Sequence, residues 1–276
     1  MRQNNIFLML LKVFFFSLIL VATSAVRAEL KVVSTIKPLH SLISNVMDGV
    51  GEPALIIEGS TSPHSFTLKP SHAKLLEEAD IIFWVGESIE TFMERPLESI
   101  VKNAEVVEFM EVESINKLKF REESIFEDHD DHDDHDDHDD HDDNDDHDEH
   151  DDHDDHDEHD DQNGHDDHGH AHGEFDAHIW LDPMNAKEMV HEIAHELGNL
   201  DLANKNKYEA NAQATIQALD QLINDIEKGI NKDAKFVVFH DAYQYFEERF
   251  ETRAAGALTL NTDVLPGAKQ IADIQD

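Results

Sequence analysis

Ala79-Asp80-Ile81-Ile82-Phe83-Trp84-Val85-Gly86 is the stretch on which the fold turns. Its apolar residues run without alternation from Ile81 to Val85 and stop at a glycine. A strand with one wet face alternates apolar and polar residues. A continuous run marks a strand buried on both faces, as in a parallel sheet covered by helices. The flanking sequence agrees. Upstream, residues 30–36 form an apolar, β-branched run, Pro38 follows, and a helix is predicted over 39–47. A second strand, 54–57, leads into the polar loop Glu58-Gly59-Ser60-Thr61-Ser62-Pro63-His64. Pro70-Ser71 opens a helix over 72–78, a helix over 89–101 is interrupted at Pro96, and residues 105–110 read as a fourth strand. Strands alternating with helices predict an α/β fold with a parallel sheet covered on both faces.

Residues 127–173 interrupt this pattern with a near-continuous repeat of Asp-Asp-His. They hold 14 of the 21 histidines and 26 of the 62 acidic residues. With no apolar residue between Glu127 and Ala171, the segment buries too little surface to offset the entropy of ordering, and it is expected to be a disordered loop. Solubility alone calls for carboxylates, not for a histidine at every third position. Imidazole is the commonest metal ligand and carboxylates add oxygen donors, so the loop reads as a metal-capturing tether. Its accessory ligands are His129, His132, His135, His138, His141, His147, His150, His153, His156, His159, His165, His168, His170 and His172.

The net charge is −41, and subtracting the loop's 26 acids leaves −15. That balance argues against nucleic acid or an anionic membrane as partner and suits a cation as ligand. The chain has no cysteine, so disulfides and thiolate metal sites are excluded and any metal must bind through nitrogen and oxygen. Residues 1–28 read as a secretory signal, with a charged start at Arg2, an apolar run over 6–21 and a cleavage site after Ala28. Without a cysteine there is no lipidation site, and the expected location is the periplasm.

Beyond the loop, Phe175-Asp176-Ala177-His178-Ile179-Trp180-Leu181 is predicted as a short strand, and Asp182-Pro183 opens a helix. That helix carries an apolar stripe of Ala186, Met189, Val190, Ile193, Ala194 and Leu197. A long helix is predicted over 205–230, with Ala210, Ala214, Ile216, Leu219, Leu222, Ile223 and Ile226 among its apolar positions. At about 1.5 Å per residue it would span roughly 40 Å. Then come a buried strand ending in His240, a helix over 243–250, a strand over 257–260 and a helix opening at Pro266-Gly267.

Three histidines share one kind of position. His64, His178 and His240 each lie at a strand edge or in the loop that follows, where open α/β sheets place ligands. Three imidazoles with a fourth, open position make a zinc site. His40 and His72 read as helix-start surface residues. His191-Glu192-Ile193-Ala194-His195 matches the HExxH pattern of zinc peptidases, in which two histidines one turn apart bind the metal and the glutamate polarises water. The pattern is short, and its histidines flank the apolar stripe among Glu188, Glu192 and Glu196, so a solvated helix rim is the expectation and an enzyme is not.

Four segments in order carry a resemblance: His64-Ser65-Phe66-Thr67-Leu68-Lys69-Pro70-Ser71, the 79–86 strand, His178-Ile179-Trp180-Leu181-Asp182-Pro183, and Val238-Phe239-His240-Asp241-Ala242-Tyr243-Gln244-Tyr245-Phe246. Together they resemble the metal-binding (cluster A-I) solute receptors of ABC transporters, and the histidine-rich loop points to the zinc-specific, ZnuA-type branch. The resemblance implies two α/β lobes joined by one long rigid helix, with one tight Zn2+ held between them by His64, His178 and His240 and further, weaker ions on the loop. The lobes would be residues 29–203 and 232–276, with the linking helix over 204–231. It also implies a monomer that delivers zinc to an inner-membrane permease and its ATPase. Some zinc receptors have a glutamate before the first histidine where this chain has Pro63, so water, Glu58 or a loop histidine remains open as the fourth ligand. Members of the family continue beyond the position of Asp276, so the C-terminal lobe is expected to be truncated. The alternatives are a zinc buffer or chaperone without a transporter, and a secreted HExxH metallopeptidase.

Overall fold

The computed structural model describes residues 29–121 and 174–259. The signal segment 1–28, the loop 127–173 with its histidines, and the helix expected from Pro266 lie outside the described residues. The chain divides into two compact units. The first takes residues up to Lys117 and Ala177–Ile230; the second takes Leu118–Asp176 and the residues from Asn231 onward.

The first unit is built on a parallel four-stranded sheet, β1 (Val32–Ser34), β2 (Ala54–Leu55), β3 (Ile81–Trp84) and β4 (Glu105–Glu108), in the order β2-β1-β3-β4. Val33 lies opposite Ala54 on one side and Ile82 on the other, and Ile82 lies opposite Val106. Every residue of β3 is buried, as its unbroken apolar run requires. Asp80 joins the strand starts. Its carboxylate accepts from Lys31 N–H at 2.8 Å, its N–H donates to Lys31 O at 2.9 Å, and its carbonyl accepts from Glu105 N–H at 3.0 Å.

The helices of this unit are α1 (Lys37–Val46), α2 (Pro70–Glu78), α3 (Glu94–Ser99), α4 (Pro183–Leu200) and α5 (Lys205–Gly229). Pro38 and Pro183 sit in the first turns of α1 and α4, where a missing N–H costs nothing. Asp182 caps α4 by accepting from Met184 N–H at 2.8 Å. The six apolar positions expected for α4, from Ala186 to Leu197, are all buried. The helix predicted over 89–101 is shorter. A single 3-10 turn (Thr91–Met93) precedes α3, because Pro96 supplies no N–H to extend the ladder upstream.

Helix α5 is the one expected to link lobes, and within the first unit it packs along α4 and α1. Its buried stripe is Tyr208, Ala212 and Ile216, while Ala210 and Ala214 face solvent. Alanine carries too little apolar surface to set a helix phase, and the fully buried Tyr208 sets it instead. Asn211, on the same side, donates from Nδ2 to the carbonyls of Val46 (2.8 Å) and Asp48 (2.9 Å), satisfying acceptors at the end of α1.

The second unit holds β5 (Val237–His240) and β6 (Gly256–Thr259), paired in parallel with His240 opposite Thr259, and α6 (Gln244–Phe250) between them. Glu251, with φ 50°, closes α6 in the left-handed region. The strand predicted over 175–181 is not formed. Phe175 makes one antiparallel bridge to Lys119, and residues Ile179–Leu181 coil into a 3-10 turn that feeds Asp182-Pro183. Strand β5 is not buried on both faces either: Val237 is 48% and Phe239 60% exposed among the described residues.

Ile82, fully buried at the middle of β3, is the most direct test of this core. Ile82→Ala is expected to cost about 3 kcal/mol of unfolding free energy in urea titration, and a loss below about 1 kcal/mol would contradict the assignment.

Candidate metal centre

His64 stands in a one-turn 3-10 helix, Pro63–Ser65, just past the carboxyl end of β2. Pro63 fixes the first residue of that turn, and Ser62 enters it extended, with φ −70° and ψ 136°. His178 comes from the other half of the unit and immediately precedes the Ile179–Leu181 turn at φ −77°, ψ 36°. The two rings meet. Their centroids are 5.7 Å apart with planes tilted by 45°, and a ring nitrogen of one lies within 4.8 Å of a ring nitrogen of the other. His178 is 7% exposed and His64 half-buried. Two nitrogens bound to one tetrahedral zinc at ~2.0–2.1 Å would sit roughly 3.3 Å apart, so a small adjustment of either ring suits this pair to a shared ion.

The support around His178 is polar and internal. Asn185, 2% exposed on the first turn of α4, donates from Nδ2 to Ile179 O (3.2 Å) and Asn116 O (2.9 Å) and accepts from Asn116 N–H (2.9 Å). It ties the turn that carries His178 to the segment following β4. The sequence reading missed this residue, and its only trace there is a polar residue on the buried side of an otherwise apolar stripe. Trp180 lies against His178, with ring centroids 5.5 Å apart.

His240 ends β5 in the second unit, at the carboxyl end of a parallel strand as expected. The other histidines serve elsewhere. His40 Nε2 lies 3.1 Å from Pro53 O, and its Nδ1 lies 3.4 Å from Ser44 Oγ. His72 is less open than its position at a helix start implies. It stacks on Phe66 at 5.4 Å, its Nδ1 accepts from Lys69 N–H at 3.2 Å, and burial with the nearby Lys69 charge lowers its pKa. His191 and His195 are exposed on the rim of α4. His195 Nε2 lies 3.6 Å from Glu196 Oε1, and across from it Glu105 of β4 has a raised pKa, first because its carboxyl hydrogen-bonds that of Glu196. Among the described residues, no grouping of metal-donor side chains includes the HExxH histidines.

Two carboxylates stand at the carboxyl edge of the same sheet. Glu90 is fully buried and accepts from Val85 N–H (2.8 Å) and Gly86 N–H (3.0 Å). Burial pushes its pKa up to about 7, against the Thr35 hydroxyl and those two N–H groups, which favour the anion. Glu108, half-buried at the end of β4, is also raised to about 7, by burial and then by the charges of Glu111 and Glu87.

The family model described as "Zinc-uptake complex component A periplasmic", ZnuA, matches residues 32–276. The chain belongs to that family. It is 49% identical over 247 residues to the high-affinity zinc uptake system protein ZnuA of Brucella abortus, covering 89% of this chain and 72% of that one. The ZnuA of Paracoccus denitrificans is 37% identical over 253 residues, covering 91% of this chain and 73% of that one. Among solved structures, the periplasmic zinc-binding protein TroA of Treponema pallidum superposes with a TM-score of 0.64 at 18% identity, over 90% of this chain and 73% of that one. At that identity the likeness bears on the fold, and it agrees with the α/β architecture of a parallel sheet flanked by helices. The family's members are periplasmic binding receptors, and no helix of the described residues is long and apolar enough to cross a membrane.

The pH dependence of stability tests the buried carboxylates. Both groups hold their protons more tightly in the fold than in the unfolded chain, so their contribution is complete below about pH 4.5 and is lost as pH rises through about 7. The double substitution Glu90→Gln, Glu108→Gln should flatten the fall in melting temperature between those values. Parallel wild-type and variant curves in calorimetry would contradict this.

Proposed function

We propose that the protein captures zinc in the periplasm at one tight site formed by His64, His178 and His240 and delivers it to the permease and ATPase of an ABC importer. The observation that carries this reading is the pair of imidazoles of His64 and His178, brought together from distant parts of the sequence in a chain of the zinc-uptake receptor family. His240 ends a parallel strand and supplies the third nitrogen, and the fourth position is open to water, Glu58 or a histidine of the loop. The chain acts as a monomeric receptor and not as an enzyme. It is exported by its first 28 residues. The loop binds further zinc more weakly and raises its local concentration near the core, an effective-concentration effect. Because copper and nickel compete for imidazole and carboxylate donors, the loop discriminates poorly and selectivity comes from the core.

A competitive zinc titration against a chelator tests the site. The chain lacking 128–172 should keep one tight ion, and His64→Ala or His178→Ala in that background should weaken it by at least about 100-fold. Loss of all tight binding on deletion of the loop alone would make the protein a histidine-rich zinc sponge. Neutral imidazole is the ligand, so affinity should fall as pH drops through about 6.5. Undiminished affinity at pH 5 would contradict the histidine assignment.

A further inference from the structure

Within the second unit, one cation joins three residues that follow His240 in the sequence. Arg121 donates from Nε to Gln244 Oε1 (3.1 Å) and from Nη2 to Glu247 Oε2 (2.7 Å), and its Nη1 lies 3.5 Å from Asp241 Oδ1. Its three partners are 6% (Asp241), 7% (Gln244) and 3% (Glu247) exposed, so a half-buried guanidinium offsets two buried carboxylates. Asp241 is the residue after His240. Its N–H donates to Thr259 O (3.1 Å), and Ala242 N–H donates back to His240 O (2.9 Å), which shapes the turn by which β5 leaves the sheet. Gln244 also donates from Nε2 to Lys119 O (2.8 Å), and Tyr245 Oη accepts from Leu118 N–H (2.9 Å) and donates to Asp176 O (2.5 Å). The segment 118–121 is thus fastened to the first turn of α6, and Arg121 reaches from it to the residue bonded to His240.

We propose that Arg121 is a positioning residue for His240: through Asp241 and the first turn of α6 it sets the turn that presents this imidazole to zinc. The inference rests on the reading of His240 as a ligand. The physical basis is that metal affinity depends on a ligand being held in place before the ion arrives, and outer partners supply that hold. The guanidinium suits the task because its rigid fork donates to two acceptors in fixed directions and sets its remaining nitrogen against the Asp241 charge, which a lysine ammonium does not do. By contrast the Lys119 side chain, on the same segment, pairs with Glu174 at the surface (2.7 Å, both largely exposed) and touches neither Asp241 nor α6 among the described residues.

The test is a double-mutant cycle on the full mature chain, with zinc affinity of the tightest site read by chelator competition. Arg121→Met should weaken that site about 10-fold or more, Arg121→Lys by an intermediate factor, and Lys119→Met less than 2-fold. In a His240→Ala background, Arg121→Met should add less than 2-fold, because the group through which it acts is gone. If Arg121→Met does not fold, as its melting curve will show, the Arg121→Lys cycle is read the same way. A full, additive loss in the His240→Ala background, or no loss in the wild-type background, overturns the positioning role while leaving the ligand assignment intact. An unchanged tight site in His240→Ala overturns the ligand assignment and the positioning role together.

Discussion

Parallel pairing is the constraint on which the rest of this protein depends. Strands that all run one way must end at one edge, and each must be followed by a connection that crosses the sheet. In the first unit that edge gathers the turn of His64 after β2, Glu90 after β3 and Glu108 at the end of β4. In the second it places His240 at the end of β5. Polar side chains therefore concentrate where strands finish, while the sheet interior stays apolar, with all of β3 buried. The same geometry explains why the candidate donors are far apart in sequence: each connection spends a helix on returning to the opposite edge.

The chemistry follows from what the edge collects. Without cysteine, the chain offers zinc imidazole and carboxylate rather than thiolate, and a site of imidazoles suits zinc. His178 is nearly buried and His64 half-buried. A cation held by such a pair is partly desolvated, which strengthens each bond and slows exchange with water. Asn185 and Arg121 do similar work in their separate units. Each is a polar group turned inward and hydrogen-bonded to backbone or side-chain partners beside a turn that carries a histidine. Neither binds metal in this account; both reduce the freedom that a ligand would otherwise lose on binding.

Much of this was legible in the sequence, and the exceptions have physical causes. The unbroken run of β3, the stripe of α4 and the Asp182-Pro183 helix opening were readable because burial on two faces, 3.6-residue periodicity and capping each leave a local mark. The phase of α5 was not, since alanines at 210 and 214 mimic a stripe that Tyr208 actually sets. The 175–181 stretch has strand composition but forms a 3-10 turn, because Asn185 captures the Ile179 carbonyl and Asp182 caps the helix that follows. The apolar run of β5 resembles that of β3, yet Val237 and Phe239 are exposed among the described residues; hydrophobicity alone does not say which face of a strand is covered. His64, His178 and His240 were read as candidate ligands from predicted strand edges, although only His240 ends a strand and His178 precedes a 3-10 turn; Asn185 left a faint trace and Arg121 none, because such a group is defined by its partners and not by its spacing.

The proposed zinc site is formed by core imidazoles and binds its ion independently of the histidine-rich loop. X-ray absorption at the zinc edge, on the chain lacking 128–172 and loaded with one equivalent of zinc, tests this most directly. The expected result is a first shell with three imidazole nitrogens at ~2.0–2.1 Å and the outer-ring scattering that imidazole produces. An oxygen-dominated shell with no imidazole scattering would contradict it.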